Sequence, residues 1–130
     1  VGLGLQDRIL VDAPCSGLGV LRRLPELKWR RGEEQLPKMH KLQLDLLEAA
    51  SLLLSAGGTL VYSICSNESE ETSAVVAAFS AIHPEMVLQS EFAELPAALA
   101  GAVTSAGAIN LLPHRHRVDG FFIARWIRRR

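Results

Sequence analysis

The chain has 130 residues, 48% of them hydrophobic, with 14 basic and 14 acidic side chains. That is enough apolar content for one buried core, and it leaves no bulk charge to attract a polyanion, which excludes a disordered segment and a protein that coats RNA by net charge. No apolar run approaches the roughly 20 residues of a membrane span, Val1-Gly2-Leu3-Gly4 has no leader character, and two distant cysteines, Cys15 and Cys65, make neither a disulfide scaffold nor a metal knuckle. A cytoplasmic protein without membrane or metal partners is expected, and a first residue that is not Met, close to a strand, suggests part of a longer chain.

Arg8-Ile9-Leu10-Val11-Asp12 is a short apolar run closed by an acid, the pattern of a central parallel strand covered on both faces. Ala13-Pro14-Cys15-Ser16-Gly17-Leu18-Gly19 cannot sustain regular structure and reads as the loop leaving that strand. After an irregular stretch from Val20 to Arg31, Pro37 suits a first helical turn. Met39, Leu42, Leu46, Ala49, Ala50 and Leu53 then recur at helical spacing up to a stop at Gly57-Gly58. Thr59 to Ile64 predicts a second buried strand, and Cys65-Ser66-Asn67 the loop at its carboxyl end. Asn67 and Glu70 resemble a capping pair for a helix whose face is Val75, Val76, Phe79 and Ile82 and which His83-Pro84 ends. The acidic cluster Glu68, Glu70, Glu71 is read as complementing that helix's dipole. A short strand is expected at Met86 to Leu88 and an antiparallel pair at Ala108 to Leu112 and Gly120 to Ile127, while 89–107 is undetermined.

Alternating strands and helices predict an α/β fold with a mostly parallel sheet, helices on both faces and an antiparallel strand pair at the C-terminus. Ligands of such sheets lie beyond the carboxyl ends of the strands, where this chain carries Asp12, Cys15 and Cys65. If the two strands are neighbours, about 5 Å apart, both thiols can share one pocket. Cys65, with a helix start expected immediately behind it, is the better nucleophile candidate, Cys15 a second acid/base or leaving-group thiol, and Asp12 a hydrogen-bond acceptor for a ligand amine or amide. Two inert structural cysteines are the plain alternative. Charge is segregated: Arg22, Arg23, Lys28, Arg30, Arg31, Lys38 and Lys41 stand against Glu26, Glu33 and Glu34 in one stretch directly after the first loop. Of the remaining features, His114-x-His116 lacks the companions of a metal site, Trp29 and Phe92 are expected to pack rather than stack on bases, and Gly2-Leu3-Gly4 is too short for a phosphate loop. A thiol redox protein would need a Cys-x-x-Cys pair, which is absent.

Four segments, Asp12 to Gly19, Arg22 to Trp29, Gly57 to Ser66 and Asp119-Gly120-Phe121-Phe122, resemble in order the motifs of the Sun (Fmu), RsmB-like family of RNA cytosine-C5 methyltransferases. The resemblance runs from Arg8 to Trp126 and implies the carboxyl half of a Rossmann-like class I methyltransferase fold, residues 1–130, that transfers a methyl group from S-adenosylmethionine to cytosine in RNA. It implies that Cys65 attacks carbon 6 of the base, that Cys15 assists release, that Asp12 faces the cofactor, and that the backbone around Pro14 meets the base edge. Arg22, Arg23, Lys28, Arg30 and Arg31 become candidate contacts for RNA phosphates. Ribosomal RNA is the preferred substrate and transfer RNA the second. Two departures are visible: Ile64 stands where the family more often has Thr, and the family's glycine-rich cofactor loop, ribose-holding acid and early lysine have no counterpart in Val1 to Asp7. The chain alone is therefore expected to be inactive and to bind the cofactor weakly, with the N-terminal half of the same protein as its partner. A non-catalytic RNA-binding or ribosome-assembly module is the rival reading.

Overall fold

The computed structural model describes every residue except Val1, Leu3 and Arg31. Its elements run in the order β1 (Gln6–Asp12), α1 (Leu27–Arg30), α2 (Leu36–Leu52), β2 (Leu54–Ile64), α3 (Ser73–Ile82), β3 (Met86–Leu88), β4 (Ile109–Leu111), α4 (Pro113–His116) and β5 (Phe121–Arg128). Short 3-10 turns lie at Leu18–Val20, Glu33–Gln35 and Ala97–Ala102.

One five-stranded sheet holds the fold together in the order β1-β2-β5-β3, with β4 also on β5. β1 and β2 pair in parallel, Ile9 opposite Leu60 and Asp12 opposite Ser63. β5 runs antiparallel to β2, and its far edge is shared end to end by β3 and β4. The expected antiparallel C-terminal pair is present as β4 and β5. The rest of the sheet is mixed rather than mostly parallel, because β5 inserts between β2 and β3. Local apolar patterns do not encode which strand a segment pairs with.

From Thr59 onward β2 alternates: Leu60, Tyr62 and Ile64 are buried and the residues between them only half so. The buried side meets Phe122, Ala124 and Trp126 of β5, Leu47 and Ala50 of α2, and Val75, Val76 and Phe79 of α3. Phe79 and Trp126 pack edge to face with ring centres 5.1 Å apart, and Trp126 Nε1 donates to Ser80 Oγ at 3.0 Å. Both long helices pack on this side and on each other, so the expectation of helices on both faces is corrected to one helix-covered face. On the other face Leu10 is 65% exposed. Part of that face is strapped by Arg125, which ion-pairs with Glu94, donates to the Glu91 carbonyl at 2.7 Å and lies over the Phe92 ring.

Three local expectations change. β1 is an edge strand, paired only with β2 among the described residues, although its composition is that of a central one. Gly57-Gly58 does not stop α2, which ends at Leu52; it lies inside β2, where Leu54 pairs with Gln6 and Thr59 with Arg8. Five residues of β2 thus answer two of β1, and Gly57 at φ 78° makes the bulge. Asn67 does not cap α3, which begins at Ser73; its side chain instead donates to Asn110 Oδ1 at 2.6 Å and to the Leu111 carbonyl at 3.1 Å.

Candidate active site

The parallel pairing of β1 and β2 carries past their last residues, with the Ala13 N–H donating to the Ser63 carbonyl at 3.0 Å. The two loops therefore leave the sheet side by side, and Cys15 Sγ and Cys65 Sγ stand 3.4 Å apart, in hydrogen-bond contact and partly buried. Burial, reinforced by the hydrogen bond and charge of Cys65, pushes the Cys15 thiol up from 9.0 to about 12. Cys15 therefore keeps its proton at neutral pH. No helix terminus stands directly behind Cys65, contrary to expectation, because the turn Asn67–Thr72 separates it from α3.

A carboxylate organises the same loops from below. Glu71 is fully buried, and its Oε1 accepts from the Ser16 N–H at 2.7 Å and Gln43 Nε2 at 3.2 Å. Its Oε2 accepts from Ser16 Oγ at 2.6 Å and Ser66 Oγ at 2.5 Å. Four donors fill the acceptor capacity of a carboxylate, and the same residue's carbonyl takes the Tyr62 hydroxyl at 2.7 Å. Burial, then the charges of Glu71 and Cys15, raise the Tyr62 phenol far above its ordinary range, so the phenol stays a donor. The dipole-complementing role expected for the acidic cluster is thus corrected for Glu71. Its signal was spacing: Glu71 stands four residues before Val75 and eight before Phe79, on the buried stripe of α3 extended backward. Gln43, buried in the α2 stripe with Leu47 and Ala50, was missed for the same reason and also donates to the Pro14 carbonyl at 3.0 Å.

The last motif folds back onto the first. The Gly19 N–H donates to the Cys65 carbonyl at 2.9 Å and the Gly120 N–H to the Gly19 carbonyl at 2.7 Å. A Cβ on Gly19 would stand 2.2 Å from the Gly120 oxygen, so the loops can approach this closely only as glycines. Next to this contact, Asp119 pairs with Arg22 Nε at 2.7 Å and Arg23 Nη2 at 2.5 Å. The hydrogen bond from Arg22, helped by the charges of both arginines, lowers the Asp119 carboxyl below its ordinary value.

The other expected site residues are more dispersed. Asp12 is exposed at the strand tip, one carboxylate oxygen taking Ser63 Oγ at 2.8 Å. Pro14 is exposed, with its carbonyl engaged by Gln43. Arg22 and Arg23 are held by Asp119, whereas Lys28 and Arg30 lie exposed on α1, and Arg31 falls outside the described residues. Trp29 does not pack: it is 84% exposed, with Lys28 Nζ 5.5 Å from its ring centre. His116 Nδ1 accepts the Leu112 N–H at 2.9 Å, a local cap. Among the described residues no three His, Cys, Asp or Glu side chains cluster as a metal site would need, and no helix is long and apolar enough to cross a membrane.

The mixed sheet with its helices is a fragment of a Rossmann-like class I fold, and solved structures resemble it over nearly the whole chain. The crystal structure of NSun6 from Pyrococcus horikoshii with SFG aligns over 98% of this chain and 31% of its own, at 31% identity and a TM-score of 0.78. The crystal structure of PH0851 aligns over 96% of this chain and 27% of its own, at 35% identity and a TM-score of 0.85. The family model of 16S rRNA methyltransferase RsmB/F matches residues 1–127, and the chain belongs to that family. A probable ribosomal RNA small subunit methyltransferase B of Synechocystis is 42% identical over 92% of this chain, which spans 27% of that relative. The chain thus covers about a quarter of the relatives it matches.

Proposed function

We propose that this chain is the carboxyl half of the catalytic domain of an RNA cytosine-C5 methyltransferase, with Cys65 as nucleophile and Cys15 as the thiol that assists its release. The observation that carries this reading is the pair of thiols in contact beyond two parallel strands, one of them held protonated. Carbon 5 of cytosine is a poor nucleophile, and addition of the Cys65 thiolate to carbon 6 makes the base an enamine able to accept a methyl group. S-adenosylmethionine supplies that methyl; SFG, its analogue in a structural neighbour, supports this choice. Transfer of the carbon 5 proton to water re-forms the double bond and breaks the sulfur–carbon bond, releasing Cys65 as a thiolate, to which the Cys15 thiol donates a hydrogen bond. The base must be unstacked for this attack, so a single-stranded or flipped cytosine is the substrate. Ribosomal RNA is preferred over transfer RNA on family grounds.

Asp12 suits a cofactor or base contact because one of its oxygens is spoken for by Ser63 and the other is open at the exposed strand tip. The remaining cofactor contacts belong to the N-terminal half, which in this reading also covers the free edge of β1 and the face where Leu10 stands exposed. Lys28, Arg30 and Trp29, exposed together on α1, are the strongest RNA contacts on offer. Arg22 and Arg23 keep a share of their charge for phosphates beside Asp119.

The test uses the intact protein that carries this chain, RNA containing 5-fluorocytosine, and labelled cofactor. A fluorine at carbon 5 cannot leave as a proton, so an adduct stable to denaturation is expected, absent in Cys65→Ala. Absence of any adduct with both ribosomal and transfer RNA overturns the enzyme in favour of the assembly role. The chain alone is expected not to bind S-adenosylmethionine measurably; micromolar binding by calorimetry overturns the half-domain reading.

A further inference from the structure

We propose that Glu71 is the positioning residue that fixes the separation of the two thiols, an inference that rests on the reading of Cys15 and Cys65 as the reacting pair. Its carboxylate grips the residue directly after each cysteine, Ser16 through both N–H and hydroxyl and Ser66 through its hydroxyl. It touches neither sulfur. Glu71 sits just before α3 and is itself held by Gln43 of α2, so two helices brace loops that leave two different strands.

Only an acceptor of this kind fits the place. Ser16 N–H, the two hydroxyls and the Gln43 amide converge on it; without it Gln43 keeps the Pro14 carbonyl and one hydroxyl could turn to the other, but the Ser16 N–H and the second hydroxyl would be buried donors without an acceptor. A glutamine of the same shape has one acceptor oxygen, and its amide would confront donors with donors. The main-chain contacts between the loops, Ala13 to Ser63 and Gly19 to Cys65, act before and after the cysteines. Between them, Glu71 links the residues that follow the two cysteines, beside the contact of the sulfurs themselves.

The test compares wild type, Glu71→Gln and the double variant Ser16→Ala/Ser66→Ala in the intact protein, with phenylarsine oxide as the probe. The arsenical bonds two sulfurs at once and so reads their separation without any RNA chemistry. Thermal unfolding and far-ultraviolet circular dichroism first establish that each variant is folded at the assay temperature. In Glu71→Gln the arsenical affinity is expected to fall by about 100-fold, because the second sulfur no longer meets the first at a high effective concentration. Methyl transfer is expected to lose about 100-fold in kcat, the cost of a misplacement near 1 Å, with KM for RNA nearly unchanged because the basic residues of α1 lie elsewhere.

A folded Glu71→Gln that holds the arsenical as wild type does overturns the proposal. If Glu71→Gln does not fold, the serine double variant decides, since it removes the hydroxyl grips and leaves the carboxylate its Ser16 N–H and Gln43 donors. Unchanged arsenical affinity there overturns the bracket, and a loss upholds it. If wild type binds the arsenical, Glu71→Gln does not, and wild type forms no adduct with fluorocytosine RNA, the bracket stands and the catalytic reading is what fails.

Discussion

Replacing Gly19 by alanine tests the convergence of the motifs with a single methyl group. The added Cβ would lie 2.2 Å from the Gly120 oxygen, 2.8 Å from the Gly120 carbonyl carbon and 2.9 Å from the Cys65 oxygen, all main-chain atoms that no rotamer change can move aside. Relief requires the Cys65 loop or the Gly120 loop to withdraw. Overpacking of this kind costs about 1–3 kcal/mol, and withdrawal also weakens two hydrogen bonds, Gly19 to Cys65 and Gly120 to Gly19, worth about 1 kcal/mol each. Since withdrawal that breaks a bond relieves the clash, the two costs trade against each other, and a net loss of about 2–4 kcal/mol is expected. Urea unfolding measures it, with Gly101→Ala as control: nothing lies within 4 Å of a Cβ there, and a change within about 0.5 kcal/mol is expected. Because the Cys65 carbonyl is one of the displaced atoms, the Cys65 alkylation rate should change in Gly19→Ala and not in the control. Gly19→Ala within 0.5 kcal/mol of wild type, with unchanged alkylation, would refute the close-approach argument.

Three further outcomes are expected. The folded chain keeps the Cys15 proton up to about pH 12 while the unfolded chain releases it near 9.0, so this group's stabilisation is complete below pH 9.0 and is lost as pH rises through that window; stability measured from neutral to alkaline pH should decline more steeply in wild type than in Cys15→Ser, and equal slopes sink the assignment. Asp119→Asn releases Arg22 and Arg23 from their ion pairs, and the slope of log affinity for single-stranded RNA against log salt should steepen by roughly 0.7 per arginine that gains a phosphate; an unchanged slope removes both from the RNA surface. Phe79→Ala empties a fully buried site against Trp126 and should cost about 3–5 kcal/mol by the same urea assay, a smaller loss implying that α3 collapses into the gap.

What could be read from the sequence was what local pattern encodes. The apolar runs placed β1, the buried half of β2, β3 and β5, and the position of each cysteine just after a strand meant that the thiols could share one pocket if the two strands paired, as they do. Pairing partners were not legible: nothing in Gly120 to Ile127 states that the strand inserts beside β2 rather than extending an edge. Gly57-Gly58 misled because two glycines serve a helix stop and a β-bulge equally well, and burial of Leu54 decided for the bulge. Asn67 and Glu70 matched a capping pair, but Asn67 found better partners far along the chain, at Asn110 and Leu111. Arg22 and Arg23 counted as part of a basic block until the fold brought Asp119 to them. Sequence proximity reports charge density, and only tertiary structure reports neutralisation.

The proposed division of labour between the thiols now stands on a different ground from the one the sequence suggested. A helix terminus behind Cys65 would have favoured its thiolate through the dipole, and α3 begins too late to do so. The contact between the sulfurs replaces it. At 3.4 Å two negative charges would repel strongly, so the two thiols do not ionise together, and burial with the Cys65 contact makes Cys15 the one that keeps its proton. Cys15 then offers Cys65 a donor when Cys65 is a thiolate, both before attack and again on release. This arrangement demands a fixed distance, which the parallel strands set only up to Ala13 and Ser63. Beyond them the loops depend on Gly19 meeting Gly120 on one side and on Glu71 gripping Ser16 and Ser66 on the other. In the proposed mechanism the reacting atoms come from two residues, and the geometry that makes them a pair comes from glycines and a buried carboxylate elsewhere in the chain.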